Sequence, residues 1–171
     1  MSRNRELLIK AYITYVRPVL EYNTHIWSPV YKTHVDLIER VQRRFTKMLD
    51  GLHALSYPDR LAATGLESLE PRRLKSDLCM YFKIINGQTC LSADEYFKFD
   101  CSVKLTRTSS NLKLVKPRYN TDLLKHNFFV RVVDAWNSLP IHVREAKSCK
   151  KFNSLLQCID FKKFLVGSYL C

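Results

Sequence analysis

Between Thr33 and Leu49, apolar residues recur at three- and four-residue steps: Val35, Ile38, Val41, Phe45, Met48 and Leu49. That period belongs to one face of an α-helix and fits no strand. Within the same segment Arg40, Arg43, Arg44 and Lys47 fall at offsets 0, 3, 4 and 7. At about 100° per residue the four cations share a second stripe, well away from the apolar one. A segment with two such faces must pack its greasy side on other helices, and the rest of the chain is consistent with that. Four glycines and six prolines in 171 residues are too few for the tight turns of a β-sandwich. An apolar fraction of 46% and an aromatic fraction of 12% supply a core and argue against disorder. Thr33 is the predicted N-cap of this helix, with Asp36 three residues on completing a capping arrangement, and Asp50-Gly51 is its stop.

Other segments carry the same signal. Glu6 to Tyr22 reads as a helix, with Pro18 predicting a kink or break at Arg17. Ser56 caps a short helix that Gly65 ends. Pro71 to Asn86-Gly87 forms the next, with Leu74, Leu78, Tyr81, Phe82 and Ile85 as its apolar face. From Gln88 to Tyr119 the periodicity decays. Residues 102–107 and 111–116 alternate apolar with polar, which predicts a short β-hairpin. Helices over Asp122–Ser138 and Ser148–Val166 complete the reading, and Trp27 and Trp136 are expected as core anchors. The fold class is therefore mainly α: a helical bundle over residues 1–87 and a basic, helical extension over 88–171 carrying the hairpin.

The net charge of +12 is uneven. Residues 1–60 hold 10 Lys+Arg against 6 Asp+Glu, residues 61–100 hold 5 against 6, and residues 101–171 hold 13 against 4. Like charge crowded into part of a compact chain is relieved by a polyanion. The six cysteines include no C-x-x-C pair and the five histidines are scattered singly, so no zinc site is expected. No apolar run is long enough to span a bilayer, and Arg3, Arg5 and Glu6 do not open a signal peptide. The expected setting is intracellular, in cytoplasm or nucleus, with reduced thiols and no membrane contact. For Ser28, Ser138 and the cysteines the sequence offers no neighbouring general base, so a nucleophile has no support.

Several pieces recur in one order: Tyr15-Val16-Arg17-Pro18-Val19-Leu20-Glu21-Tyr22, Trp27-Ser28-Pro29, and Ile38 to Lys47 with its Arg43-Arg44 pair. They continue through Tyr57-Pro58-Asp59-Arg60-Leu61, Gly65 to Arg73, Phe82 to Gly87, Leu112 to Arg118, Asn127 to Arg131, and Trp136-Asn137-Ser138-Leu139-Pro140. Over almost its whole length the chain resembles the region downstream of the palm in jockey-like and CR1-like reverse transcriptases of non-long-terminal-repeat retrotransposons. The resemblance implies a thumb followed by a C-terminal extension. A thumb of this kind closes on the template–primer duplex, so RNA or an RNA–DNA duplex is the expected partner, with the full-length reverse transcriptase a second. Polymerase chemistry needs two divalent ions held by carboxylates, which those enzymes take partly from a Tyr-x-Asp-Asp-like turn. This chain contains no Asp-Asp pair, and Asp94-Glu95 reads as acids at a helix start. The expectation is thus a catalytically incomplete remnant, not an enzyme by itself, with no cofactor of its own and Mg2+ only in the complete parent. Met1 falling inside the thumb-like segment leads to the expectation of a copy shortened at its 5′ end, or of a shortened gene model.

Two basic clusters are the expected phosphate contacts. One is Arg40, Arg43, Arg44 and Lys47. The other is Lys113, Lys116, Arg118, Lys125 and Arg131, interleaved with aromatic rings. Phe128 and Phe129 lie on a helical apolar face with Trp136, so the cations and not the rings are expected to bind. The competing expectation is a helical interaction module that once packed on the polymerase palm and fingers and has no activity of its own.

Overall fold

The structure, a computed structural model, describes residues 4–99 and 113–167. Its elements are α1 (Arg5–Ala11), a π-helical turn (Tyr12–Val16), α2 (Arg17–Glu21), α3 (Thr24–Trp27), α4 (Lys32–Lys47), α5 (Tyr57–Thr64) and α6 (Leu69–Ile85). There follow α7 (Ala93–Tyr96), β1 (Lys98–Phe99), β2 (Leu114–Val115), α8 (Asp122–Lys125), α9 (Phe128–Asn137), α10 (Ile141–Arg144), α11 (Cys149–Leu156) and a 3-10 turn (Lys162–Phe164). The fold is mainly α with one two-stranded antiparallel ribbon among the described residues. Its described residues divide into two compact units, 4–73 with 162–167, and 74–99 with 113–161, which meet in sequence inside α6.

In the first unit the helical run continues through Pro18 without a break. The chain takes a π turn just before it, with the Arg17 amide donating to the Tyr12 carbonyl five residues back, and α2 then carries the proline in its first turn. Proline is tolerated there because those amides have no intrahelical acceptor. α4 starts one residue earlier than Thr33, with Tyr31 at its N-cap and no side-chain cap, so the Thr33–Asp36 capping arrangement does not form. α5 has the expected ends: Ser56 Oγ accepts from the Asp59 amide, and Gly65 takes the left-handed conformation at φ +64°. Trp27 is not a core anchor. It is 41% exposed and donates from Nε1 to the Tyr22 carbonyl at 2.6 Å.

In the second unit Trp136 is the core anchor, fully buried with Tyr81 edge-on at 4.5 Å and Phe152 at 5.8 Å. Leu78, Tyr81 and Phe82 of α6 and Val132 and Val133 of α9 complete that core. β2 pairs with β1 in the register Lys98↔Val115 and Phe99↔Leu114. The expected first strand, 102–107, lies outside the described residues. Asn137 clamps β2 from its other side, accepting from the Leu114 amide and donating to its carbonyl, each at 2.9 Å. Two expected helices are shorter. Asp122–Ser138 splits because Asn127 leaves helical geometry to cap α9, accepting from the Phe129 amide at 3.0 Å. Ser148–Val166 stops at Leu156, after which the chain turns and buries Phe161.

Candidate nucleic-acid interface

α4 is amphipathic in an unexpected sense. Its buried residues are Val35, Glu39, Gln42 and Thr46, so three of the four are polar. Val41 and Met48, expected inside, are 41% and 61% exposed. The reason is a hydrogen-bonded network that periodicity alone cannot reveal. Gln42 Oε1 accepts from the Tyr12 hydroxyl at 3.0 Å, and Gln42 Nε2 donates to the Tyr57 hydroxyl at 3.1 Å and the Glu67 carbonyl at 3.0 Å. Tyr57 donates to Glu39. The two Glu39 oxygens also accept from the Leu69 amide at 3.2 and 3.0 Å, capping α6 from another helix. A buried carboxylate needs such donors, and helix N-terminal amides are good ones.

Burial pushes the Glu39 carboxyl above its ordinary value; the hydrogen bonds from Tyr57 and Leu69 and the Arg73 and Arg43 cations pull the other way. The Tyr57 hydroxyl is likewise pushed up, by burial first and by the Glu39 charge next. Both directions favour the uncharged forms of these groups over what they would be in water.

With its polar residues turned inward, α4 presents Arg40, Arg44 and Lys47 to solvent on the opposite side. At about 1.5 Å per residue they span about 10 Å of helix axis. None of the three forms an ion pair among the described residues. Arg43 stands apart: half-buried, with its guanidinium 4.9 Å over the Tyr57 ring. Beside them Leu37, Val41 and Met48 are also exposed, so the outer face mixes cations with apolar side chains.

The second cluster divides. Arg131 forms a two-pronged ion pair with Asp77 at 2.9 and 3.2 Å, its side chain 17% and that of Asp77 3% exposed, and stacks over Phe128. It is an internal strut of the second unit. Lys116 pairs with Asp134 on the surface. Lys113, Arg118 and Lys125 are exposed. Among the described residues no group of three or more acids, histidines and cysteines is placed to hold a metal ion, and no helix is long and apolar enough to cross a membrane.

Sequence reasoning missed the Glu39–Tyr57–Gln42–Tyr12 network and the Asp77–Arg131 pair. A signal for the first exists: Glu39, Gln42 and Thr46 continue the three- and four-residue steps that join Val35 to Leu49.

The chain is 28% identical over 88 residues to an uncharacterized protein of Caenorhabditis elegans, a match covering 50% of this chain and 44% of that protein. The chain thus spans less than half the length of that relative. No protein-family model and no solved structure matches it.

Proposed function

We propose that this chain grips the sugar–phosphate backbone of nucleic acid, as the thumb-and-extension piece of a retrotransposon-type reverse transcriptase, without polymerase chemistry of its own. The observation that carries the reading is the solvent side of α4, where Arg40, Arg44 and Lys47 share one face while Glu39 is turned inward. One phosphate per about 3.4 Å of duplex axis on each strand puts roughly three phosphates alongside their span. Lys113, Arg118 and Lys125 supply further exposed charge, whereas Arg43, Lys116 and Arg131 have partners within the chain. The partner is an RNA–DNA hybrid or RNA duplex, held by shape and charge with little choice of sequence. Any divalent ion belongs to the complete parent enzyme. The test is filter binding of the purified chain to an RNA–DNA hybrid at low and moderate salt. Three contacts from α4 alone predict a loss of about 40-fold in affinity for a fourfold rise in salt. Undetectable or salt-indifferent binding removes the reading.

A second reading draws on a different observation. Leu7, Tyr15, Val19, Tyr22 and Ile26 of the first unit are 65–78% exposed, more apolar surface than a lone helical segment usually leaves in water. An orphaned helical interaction module, with no activity of its own, explains that surface. A dye that brightens on exposed apolar surface, read beside a thermal melt, separates the two: a cooperative melt with little dye binding removes the second reading.

A further inference from the structure

In the second unit α9 gives way at Ser138-Leu139-Pro140 to α10, whose last residue is Arg144. The Arg144 amide donates to the Pro140 carbonyl at 3.2 Å and the Glu145 amide to the Ile141 carbonyl at 3.0 Å, which closes this short helix. Val143 is 1% exposed and Arg144 5%, although one side chain is a hydrocarbon and the other a fixed cation. Arg60 and Arg131, also turned inward, meet acceptors: Arg60 donates to Thr46 Oγ1 at 3.2 Å and to the Leu55 carbonyl at 2.7 Å, and Arg131 to Asp77. Arg144 meets none among the described residues. Its Nε and Nη1 are buried without a hydrogen-bond partner, and the exposed Glu145 beside it forms no ion pair with it. Burial pulls the Arg144 guanidinium below its ordinary value and the Glu145 charge offsets part of that, yet the group keeps its proton near neutral pH. Buried donors without acceptors cost free energy, and a buried charge without a counter-charge costs more.

We propose that Arg144 is the anchor of a phosphate-binding site built on α10, independent of the reading of α4. A guanidinium offers two forks, Nε with Nη2 and Nη1 with Nη2, each matched to two oxygens of an oxyanion. Nη2 belongs to both forks and is the nitrogen of the three that is not closed off without a partner. An oxyanion that reaches Nη2 takes Nε or Nη1 as its second donor, and supplies acceptor and counter-charge together. Between Pro140 and Leu156 the chain holds four cations, Arg144, Lys147, Lys150 and Lys151, against one acid, Glu145. The three lysines are exposed, and α10 packs against α11, the helix that carries Lys150 and Lys151. That excess of charge favours a phosphate, which carries more negative charge and more acceptor oxygens than a carboxylate. Free phosphate and the backbone phosphate of nucleic acid share this chemistry.

The test uses the full chain in chloride and in inorganic phosphate at equal ionic strength. Its melting point is read beside the Arg144 Nε–H signal, assigned by two-dimensional NMR. Inorganic phosphate should raise the melting point by several degrees toward a plateau and shift the Arg144 signal in step with it. Arg144→Met keeps the apolar stem and removes the charge, and should lose the phosphate-dependent rise. A short RNA–DNA hybrid is the second arm. A signal that moves with free phosphate, with the hybrid, or with both supports the site and names its source. The wild-type titration decides the matter should Arg144→Met fail to fold. An Arg144 signal indifferent to both ligands, or an Arg144→Met chain that responds to phosphate as the wild type does, overturns the proposal.

Discussion

Replacing Tyr57 with Phe tests whether the polar interior of the first unit is held together as described. The ring stays, so the apolar burial and the stacking beneath Arg43 are kept, and only the hydroxyl is lost. That oxygen donates to Glu39 and accepts from Gln42 Nε2. Gln42 retains the Glu67 carbonyl, so its loss is small. Glu39 loses a donor to a buried carboxylate, which costs about 1.5–3 kcal/mol while the group is ionised and about 1 kcal/mol once it is neutral. Glu39 is pushed above the ordinary carboxyl range in the folded protein, so the folded state holds its proton more tightly than the unfolded chain. The stability linked to that proton is fully present below the unfolded value and is lost as pH rises through the folded one. The Tyr57 hydrogen bond pulls the Glu39 value down, so Tyr57→Phe raises it further and steepens the loss. Urea unfolding at about pH 5 and about pH 8 should therefore show the larger penalty at the higher pH, about 2–3 kcal/mol. A penalty below about 0.5 kcal/mol at both pH values, or a larger one at low pH, refutes the network.

The Asp77–Arg131 pair should behave as a structural strut. Arg131→Gln leaves a nearly buried carboxylate short of its partner and should destabilise by about 3 kcal/mol in thermal or chemical unfolding. Gly65→Ala meets no neighbouring atom within 4 Å but must hold φ near +64°, so it should cost about 1 kcal/mol through backbone strain alone. Lys116→Ala removes a surface pair with Asp134 and a long contact over the Tyr119 ring, and should change stability by less than about 1 kcal/mol in the same melt.

What the sequence made legible depends on whether the signal was local. Caps, stops and apolar repeats are local, and they marked α5 with Ser56 and Gly65, the α6 face at Leu78, Tyr81 and Phe82, and the burial of Trp136. The inward turn of Glu39 and Gln42 was hidden because it depends on Tyr12, Tyr57 and the Leu69 amide, 15 to 30 residues away in sequence. The exposure of Trp27 was hidden for a related reason: its ring is held by a carbonyl five residues back rather than by a core. The split at Asn127 was written in the chain as a good N-cap residue, but the strong apolar period on either side masked it. Of the nine expected phosphate contacts, charge alone could not distinguish Arg40, Arg44 and Lys47, which face solvent, from Arg131, whose charge Asp77 absorbs.

The most direct measurement compares the salt dependence of RNA–DNA hybrid binding between the wild-type chain and the variant with Arg40, Arg44 and Lys47 all changed to Ala. If these side chains lie along the phosphates, the variant keeps its melting behaviour while the slope of log affinity against log salt becomes shallower by about 2–3. A folded variant whose slope and affinity match the wild type would contradict the account.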